Sequence, residues 1–201
     1  MRFGCIASGS DGNCYYLKDS DGNLLLLDVG IPIELIKLGI GFNVNKICGA
    51  VASHVHFDHS ISLSKLRNMG IPVYAPYESQ DSMAFRNGSN FRVKSFPLTD
   101  LDNHFVHTNG DGSECPCYGF MISHEELGRM VYITDAELVK WRFTGIKHLL
   151  LGVNYDGDLL DDNQVKRKHV LGGHMSLETA KEFVRVTAEN NDLATVILCH
   201  L

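Results

Sequence analysis

Residues 53–60 read SHVHFDHS: three histidines and one aspartate fall within six positions, directly behind the apolar run ICGAVA. Titratable groups crowded against the end of a buried strand are costly unless something compensates them. In an extended segment the side chains at i and i+2 point the same way. His54 and His56 can therefore reach a common point from the strand end. Asp58 and His59 follow where the chain turns toward a helix, and they address a neighbouring point. Imidazole and carboxylate are suitable ligands for zinc, manganese or iron, and a bound cation supplies the missing compensation.

A site for two ions needs more donors, and other strand ends carry them. His107 follows NHFV, Asp135 ends RMVYIT and His200 ends LATVILC. Taken singly, such a residue is an ordinary solvated or turn-forming group; beside H-x-H-x-D-H each becomes a candidate ligand. Asp28, at the end of LLLL, is a fourth polar strand-end residue, suited to orienting a ligand from behind.

The rest of the chain reads as alternating strands and helices without repeats, low-complexity tracts or a linker. RFGCIAS, CYYLKD, LLLLDVG, KICGAVASH and IPVYAP read as strands of the first half, separated by the turns GSDGN and SDGN. Pro32 opens a short helix through IELIKLG, SISLSKLRNMG is a helix ended by Gly70, and ESQDSMAFR is another. FRVKSFPL, CYGFMIS, RMVYITD and HLLLGVNY are strands of the second half. SLETAKEFVRVTAEN is the clearest helix, with Ser176 as N-cap and Leu177, Ala180, Val184 and Thr187 on one face; LATVILCH closes the chain as a buried strand. This pattern predicts an α/β protein, two sheets packed face to face with helices outside.

With 201 residues and 44% hydrophobic content, the chain can bury a core as one domain spanning 1–201 or as two fused halves. The net charge of −6 gives no overall attraction to polyanions, so nucleic acid would bind through a local basic patch or through metal ions. No apolar run reaches the ~18 residues of a membrane span. MRFGCIASGS has neither the basic and apolar regions nor the cleavage site of a leader, and the expected location is cytoplasmic. Six cysteines in apolar stretches, with only C-x-C at 115–117, read as reduced structural thiols.

These residues carry a family resemblance. ASGSDGNCYYL, LLLLDVG, SHVHFDHS, YGFMI, YITD, NYD, GHMSLE and VILCHL resemble, in order, the metallo-β-lactamase superfamily, in the branch of WalJ/YycJ-like exonucleases and related phosphodiesterases. The resemblance implies an αββα four-layer sandwich of two mixed β-sheets flanked by helices, with the site at one sheet edge. It implies His54, His56 and His107 on one ion, Asp58, His59 and His200 on a second, and Asp135 bridging. Thr108 stands where the family has an acid, with Asp111 three residues on, and Gly152 replaces an acidic residue ahead of NYD. The chain stops one residue after His200, where relatives continue, so it reads as a fragment or a short member.

Two divalent ions, zinc or manganese, ~3.5–4 Å apart would activate water and polarise a substrate oxygen. The expected activity is cleavage of phosphodiester bonds in DNA, RNA or nucleotides. The alternatives are a small cyclic-nucleotide phosphodiesterase and a thioester, lactone or β-lactam hydrolase using the same ions. Asp58 and His174 are the candidate catalytic groups, His174 because it precedes a helix N-terminus where an anion is favoured. Ser8, Ser10 and Asn13, together with His174, are candidate substrate contacts, although SGSDGN is equally a glycine-rich turn between strands. KRKH at 166–169 is the one concentrated positive run, suited to a polynucleotide or to a solvated loop. Trp141 reads as a core residue rather than a base platform.

Overall fold

The computed structural model describes residues 1–79, 84–98, 107–156 and 174–200. They form two compact units, Met1–Val93 with His124–Leu127, and Lys94–Ser123 with Gly128–Leu201.

The first unit holds a five-stranded sheet of β1 (Arg2–Ala7), β2 (Cys14–Lys18), β3 (Leu24–Leu27), β4 (Ile47–Val51) and β5 (Val73–Tyr74), in that order. β1, β2 and β3 run antiparallel, while β4 lies parallel to β3 and β5 parallel to β4. Parallel neighbours need crossovers, and helices supply them: α1 (Ile33–Gly39) between β3 and β4, then α2 (Phe57–Ser60) and α3 (Leu63–Asn68) between β4 and β5. Every residue of β3 and β4 is buried, which explains why both read as unbroken apolar runs rather than alternating ones. Leu26, Ile36, Ala50, Leu66 and Ile71 belong to the core beneath the helices.

Two expected helices differ. The segment 60–70 is not continuous, because the backbone at its start is bonded elsewhere: Ser62 donates from N to Val29 O (3.1 Å) and from Oγ to Ile31 O (2.6 Å). α3 ends at Asn68, and Gly70 stands two residues beyond it with φ +70°. Of ESQDSMAFR, residues 80–83 lie outside the described residues, and 84–86 are not helical. Arg86 instead lies along β4, its N donating to Cys48 O (2.9 Å) and its Nε to Ile47 O (2.6 Å).

In the second unit the sheet order is β10 (Thr195–Cys199), β9 (His148–Gly152), β8 (Gly128–Ile133), β7 (Tyr118–His124), β6 (Arg92–Pro97). β8, β9 and β10 are mutually parallel. The short turn between β7 and β8 permits only an antiparallel pair. α4 (Leu177–Ala188) is capped by Ser176, whose Oγ accepts from Thr179 N (3.0 Å), and it buries Ala180, Phe183 and Thr187. Leu177 and Val184 pack against the same core, so the expected face is the buried one.

β10 corrects the expectation of a buried closing strand. It is the outer strand of the sheet, and Val196 and Leu198 are 38% and 40% exposed. Trp141 is likewise not a core residue: it is 45% exposed, with Nε1 donating to Pro97 O (2.7 Å). Among the described residues no helix is long and apolar enough to cross a membrane.

All six cysteines are free thiols, and only Cys5 is exposed. Burial pushes the Cys48 thiol up to about 11 and raises Cys14 further. Ellman's reagent at pH 8 is therefore expected to modify Cys5 alone in the native chain and all six thiols after denaturation. Rapid native labelling of more than one would contradict this packing.

Candidate metal centre

The first cluster is built where β3 and β4 end side by side. Asp28 follows β3 directly, donates from N to Val51 O (3.0 Å), and adopts φ +52°, a conformation its short side chain tolerates. Its carboxylate is fully buried. Oδ1 accepts from Ser53 N (2.8 Å), and Oδ2 accepts from Ser53 Oγ (3.0 Å) and from His59 Nδ1 (2.7 Å).

These bonds fix which nitrogen of each imidazole is basic. Donation from Nδ1 to Asp28 leaves the lone pair of His59 on Nε2. Asn13 agrees: its Oδ1 accepts from Gly9 N (3.0 Å) and Tyr15 OH (2.9 Å), so the group 3.3 Å from His59 Nε2 is the Nδ2 donor. Ser53 Oγ gives its proton to Asp28 and so accepts at 3.0 Å from His54 Nδ1, which makes Nε2 the basic nitrogen there too. The His54 ring lies 4.7 Å from that of His56 and 4.2 Å from that of His59, and Asp58 Oδ2 is 3.1 Å from His59 Nε2. The first unit thus brings together all four residues of H-x-H-x-D-H, with Nε2 the basic nitrogen of both His54 and His59.

Backbone contacts hold the loop in place. Asp58 O accepts from Asn13 N (2.7 Å), His59 O from Val29 N (2.9 Å), and Asn13 O from Gly30 N (2.9 Å). Gly30 is required by this approach, since a Cβ there would fall 1.6 Å from Asp58 O. Asn13 is buried, with its amide committed to Gly9, Tyr15 and the motif loop; Ser8 and Ser10 are exposed.

The second cluster gathers at the ends of β8, β9 and β10. Their register pairs Ile133 with Leu151 and Gly152 with Cys199, so Asp135, Asn154 and His200 emerge at one rim. A Cβ at Gly152 would stand 3.0 Å from Thr134 Cα, so the close approach of β8 and β9 leaves little room for a side chain there. Asp135 Oδ1 lies 3.3 Å from Asn154 Nδ2, 3.5 Å from His200 Nε2 and 3.6 Å from His174 Nε2. Asn154 Oδ1 accepts from Met175 N (3.3 Å), and its Nδ2 lies 2.7 Å from His200 Nδ1. His107 is buried, its ring 5.3 Å from that of His174. His107 O accepts from Cys115 N (2.8 Å), at the base of a turn in which Thr108 pairs with Glu114. Asp111 sits exposed in that turn, and hydrogen bonds from Ser113 hold its carboxyl below the usual range.

Reading the sequence missed Asn154 and Ser53 as parts of these clusters. Each is a polar residue directly behind an apolar run, the same signal that picked out Asp28. The KRKH run lies outside the described residues.

Residues 7–153 match the Metallo-beta-lactamase superfamily, and the chain belongs to that family. It is similar to exodeoxyribonuclease YycJ of Bacillus anthracis, with 29% identity over 158 residues that cover 73% of this chain. The chain spans 58% of the length of that relative. Among solved structures it resembles the metallo-beta-lactamase fold protein YhfI of Bacillus subtilis, with a TM-score of 0.67 and 16% identity, over 99% of this chain and 85% of that one. It also resembles the short form of human tRNase Z, with a TM-score of 0.63 and 14% identity, over 100% and 92% of the two chains. The two five-stranded sheets with their helices are those of the metallo-β-lactamase fold, as the sequence led us to expect.

Asp28→Asn leaves the shape of the first cluster but breaks its polarity. An amide with its oxygen toward Ser53 N turns a donor toward His59 Nδ1, and the opposite orientation sets two donors face to face at Ser53. Affinity for a divalent ion should fall about 10- to 100-fold, read by titration against a competing chelator with the fold intact by circular dichroism. Gly30→Ala should cost about 3 kcal/mol or more of stability in urea denaturation, because backbone rather than a flexible side chain meets the new methyl.

Proposed function

We propose that this chain is a metal-dependent phosphodiesterase acting on DNA, RNA or nucleotides, folded as one hydrolase domain over residues 1–201. The observation that carries this reading is the Asp28–Ser53–His59 arrangement, which sets two buried imidazoles with Nε2 as the basic nitrogen beside Asp58. A set of imidazoles and carboxylates with these tautomers suits a divalent ion. The proposed ligands are His54, His56 and His107 for one ion and Asp58, His59 and His200 for the other, with Asp135 between them. Bound there, two zinc or manganese ions would make water nucleophilic near neutral pH and offset charge developing on a phosphoryl oxygen.

The side chains of the protein then divide the remaining work. Asp28 holds His59 in orientation, and Asn154 Nδ2 lies against Nδ1 of His200. Asp58, half-buried beside His59, would accept a hydrogen bond from the attacking water. His174 stands ahead of α4 with Nε2 facing Asp135, placed to hold a phosphoryl oxygen or to protonate the leaving oxygen. Ser8 and Ser10 present hydroxyls to a phosphate. The similarity to a protein named an exodeoxyribonuclease supports a nucleic acid as substrate, while the net charge of −6 favours a short strand or small nucleotide over a long polyanion. Six cysteines outside any disulfide suit a reducing compartment, and we place the protein in the cytoplasm.

Metal analysis of the purified, metal-replete protein should return two ions per chain. It should cleave bis-p-nitrophenyl phosphate and oligonucleotides, and His56→Ala or Asp58→Ala should abolish that turnover. His174→Ala should lower kcat by about 10²–10⁴-fold. Hydrolysis of a β-lactam or thioester reporter with no cleavage of any phosphodiester would overturn the proposal.

A further inference from the structure

We propose that Phe57 is a stacking platform for the nucleobase next to the scissile phosphate. This rests on the phosphodiesterase reading above and assigns that substrate a planar base bound at the metal loop. Exposure alternates along the motif: His54 and His59 are buried, while Val55 is 52% and Phe57 80% exposed. Ligation places no demand on the two positions between the motif's ligands, and a polar residue would be better solvated at either. Ile61, one helical turn beyond Phe57, is 46% exposed as well. Single exposed apolar residues are ordinary, but three within seven positions beside a metal-ligand loop are a local concentration of apolar surface.

The backbone beneath the ring is fixed. Ser60 Oγ donates to Val55 O (2.7 Å) and His56 O (2.8 Å), His59 N to His56 O (3.0 Å), and Ile61 N to Phe57 O (3.1 Å). Phe57 adjoins His56 and Asp58 in sequence, so its Cα lies ~3.8 Å from the Cα of each. A base joined through its sugar to a phosphate at those ligands comes within reach of the ring. Residues 53–61 contain no Lys or Arg, so Coulombic attraction to a strand has no source in this segment. Stacking does not need one, because every base offers a π-face. Three side chains are also far fewer than the ~20–30 residues per partner of a stable dimer interface, which favours a base over a second copy.

The test compares a fluorescein-labelled phosphorothioate hexanucleotide with its abasic counterpart, binding the metal-loaded protein in an anisotropy titration. The wild type should bind the base-bearing strand about 5- to 150-fold more tightly, Phe57→Ala should bring that ratio near 1, and Phe57→Trp should preserve it. A wild-type ratio near 1, or a ratio that survives Phe57→Ala, overturns the assignment. So does a wild-type dimer in sedimentation that Phe57→Ala disperses without changing the ratio, since that surface then joins two copies. A ratio lost in Phe57→Ala, in a protein that cleaves no phosphodiester, upholds base stacking and sinks the phosphodiesterase reading alone.

Discussion

A single buried carboxylate organises the first cluster. Asp28 has no exposure to solvent and must be satisfied from within, which it is by two bonds from Ser53 and one from His59. A charge so placed is costly when unpaired, and here its partners are the serine and the imidazole that shape the first cluster. The same bonds that stabilise Asp28 in the interior point the basic nitrogens of His54 and His59 away from it. Fold stability and imidazole tautomer are therefore coupled through one side chain. A change at Asp28 cannot improve one without disturbing the other.

The second cluster solves the same problem with strand geometry. Parallel strands deliver their last residues to a common rim, and the register of β8, β9 and β10 places Asp135, Asn154 and His200 there together. Asn154 links them, with Nδ2 near both Asp135 and His200 and Oδ1 tied to the segment that carries His174. The amide thus joins strand ends to the approach of α4 and sets where His174 stands. Close packing at Gly152 keeps β8 and β9 near enough for this link to form.

How much of this could be read from the sequence follows from the range of the interactions involved. H-x-H-x-D-H was legible because its signal is local: four groups crowd within six positions, although residues 53–56 are bent rather than extended and the loop is held by Asn13, Asp28 and Val29. α4 was legible for the same reason, with its Ser176 cap and its buried stripe. The break before α3 was not, because Ser62 is bonded to residues some thirty positions away. Nor was the exposure of β10, since an apolar run reads alike in the centre of a sheet and at its edge. Trp141 misled for a related reason, as an indole can lie on the surface once its N–H finds a carbonyl. Asn154 was passed over because an amide behind a strand resembles a turn former until its partners are known.

Backbone conformation ties these threads together. Five non-glycine residues among those described have positive φ, and three of them are Asp28, Asp135 and His200, at 52°, 46° and 58°. Left-handed geometry costs an L-residue on the order of 1 kcal/mol, and it persists only where surrounding contacts dictate it. Each of the three comes at or just after the end of an apolar strand. A strand alone would alternate its side chains between the two faces of the sheet. A single left-handed residue breaks that alternation and turns the terminal side chain along the rim, where neighbouring strand ends can meet it. Asp28 and Asp135 accept the conformation readily, as short polar side chains do; His200 is held to it by the pairing of Cys199 with Gly152 and by Asn154. The strain thus falls where strands stop being scaffold and turn their last polar side chains into the two clusters, and the sheet behind each of these residues is what sustains it.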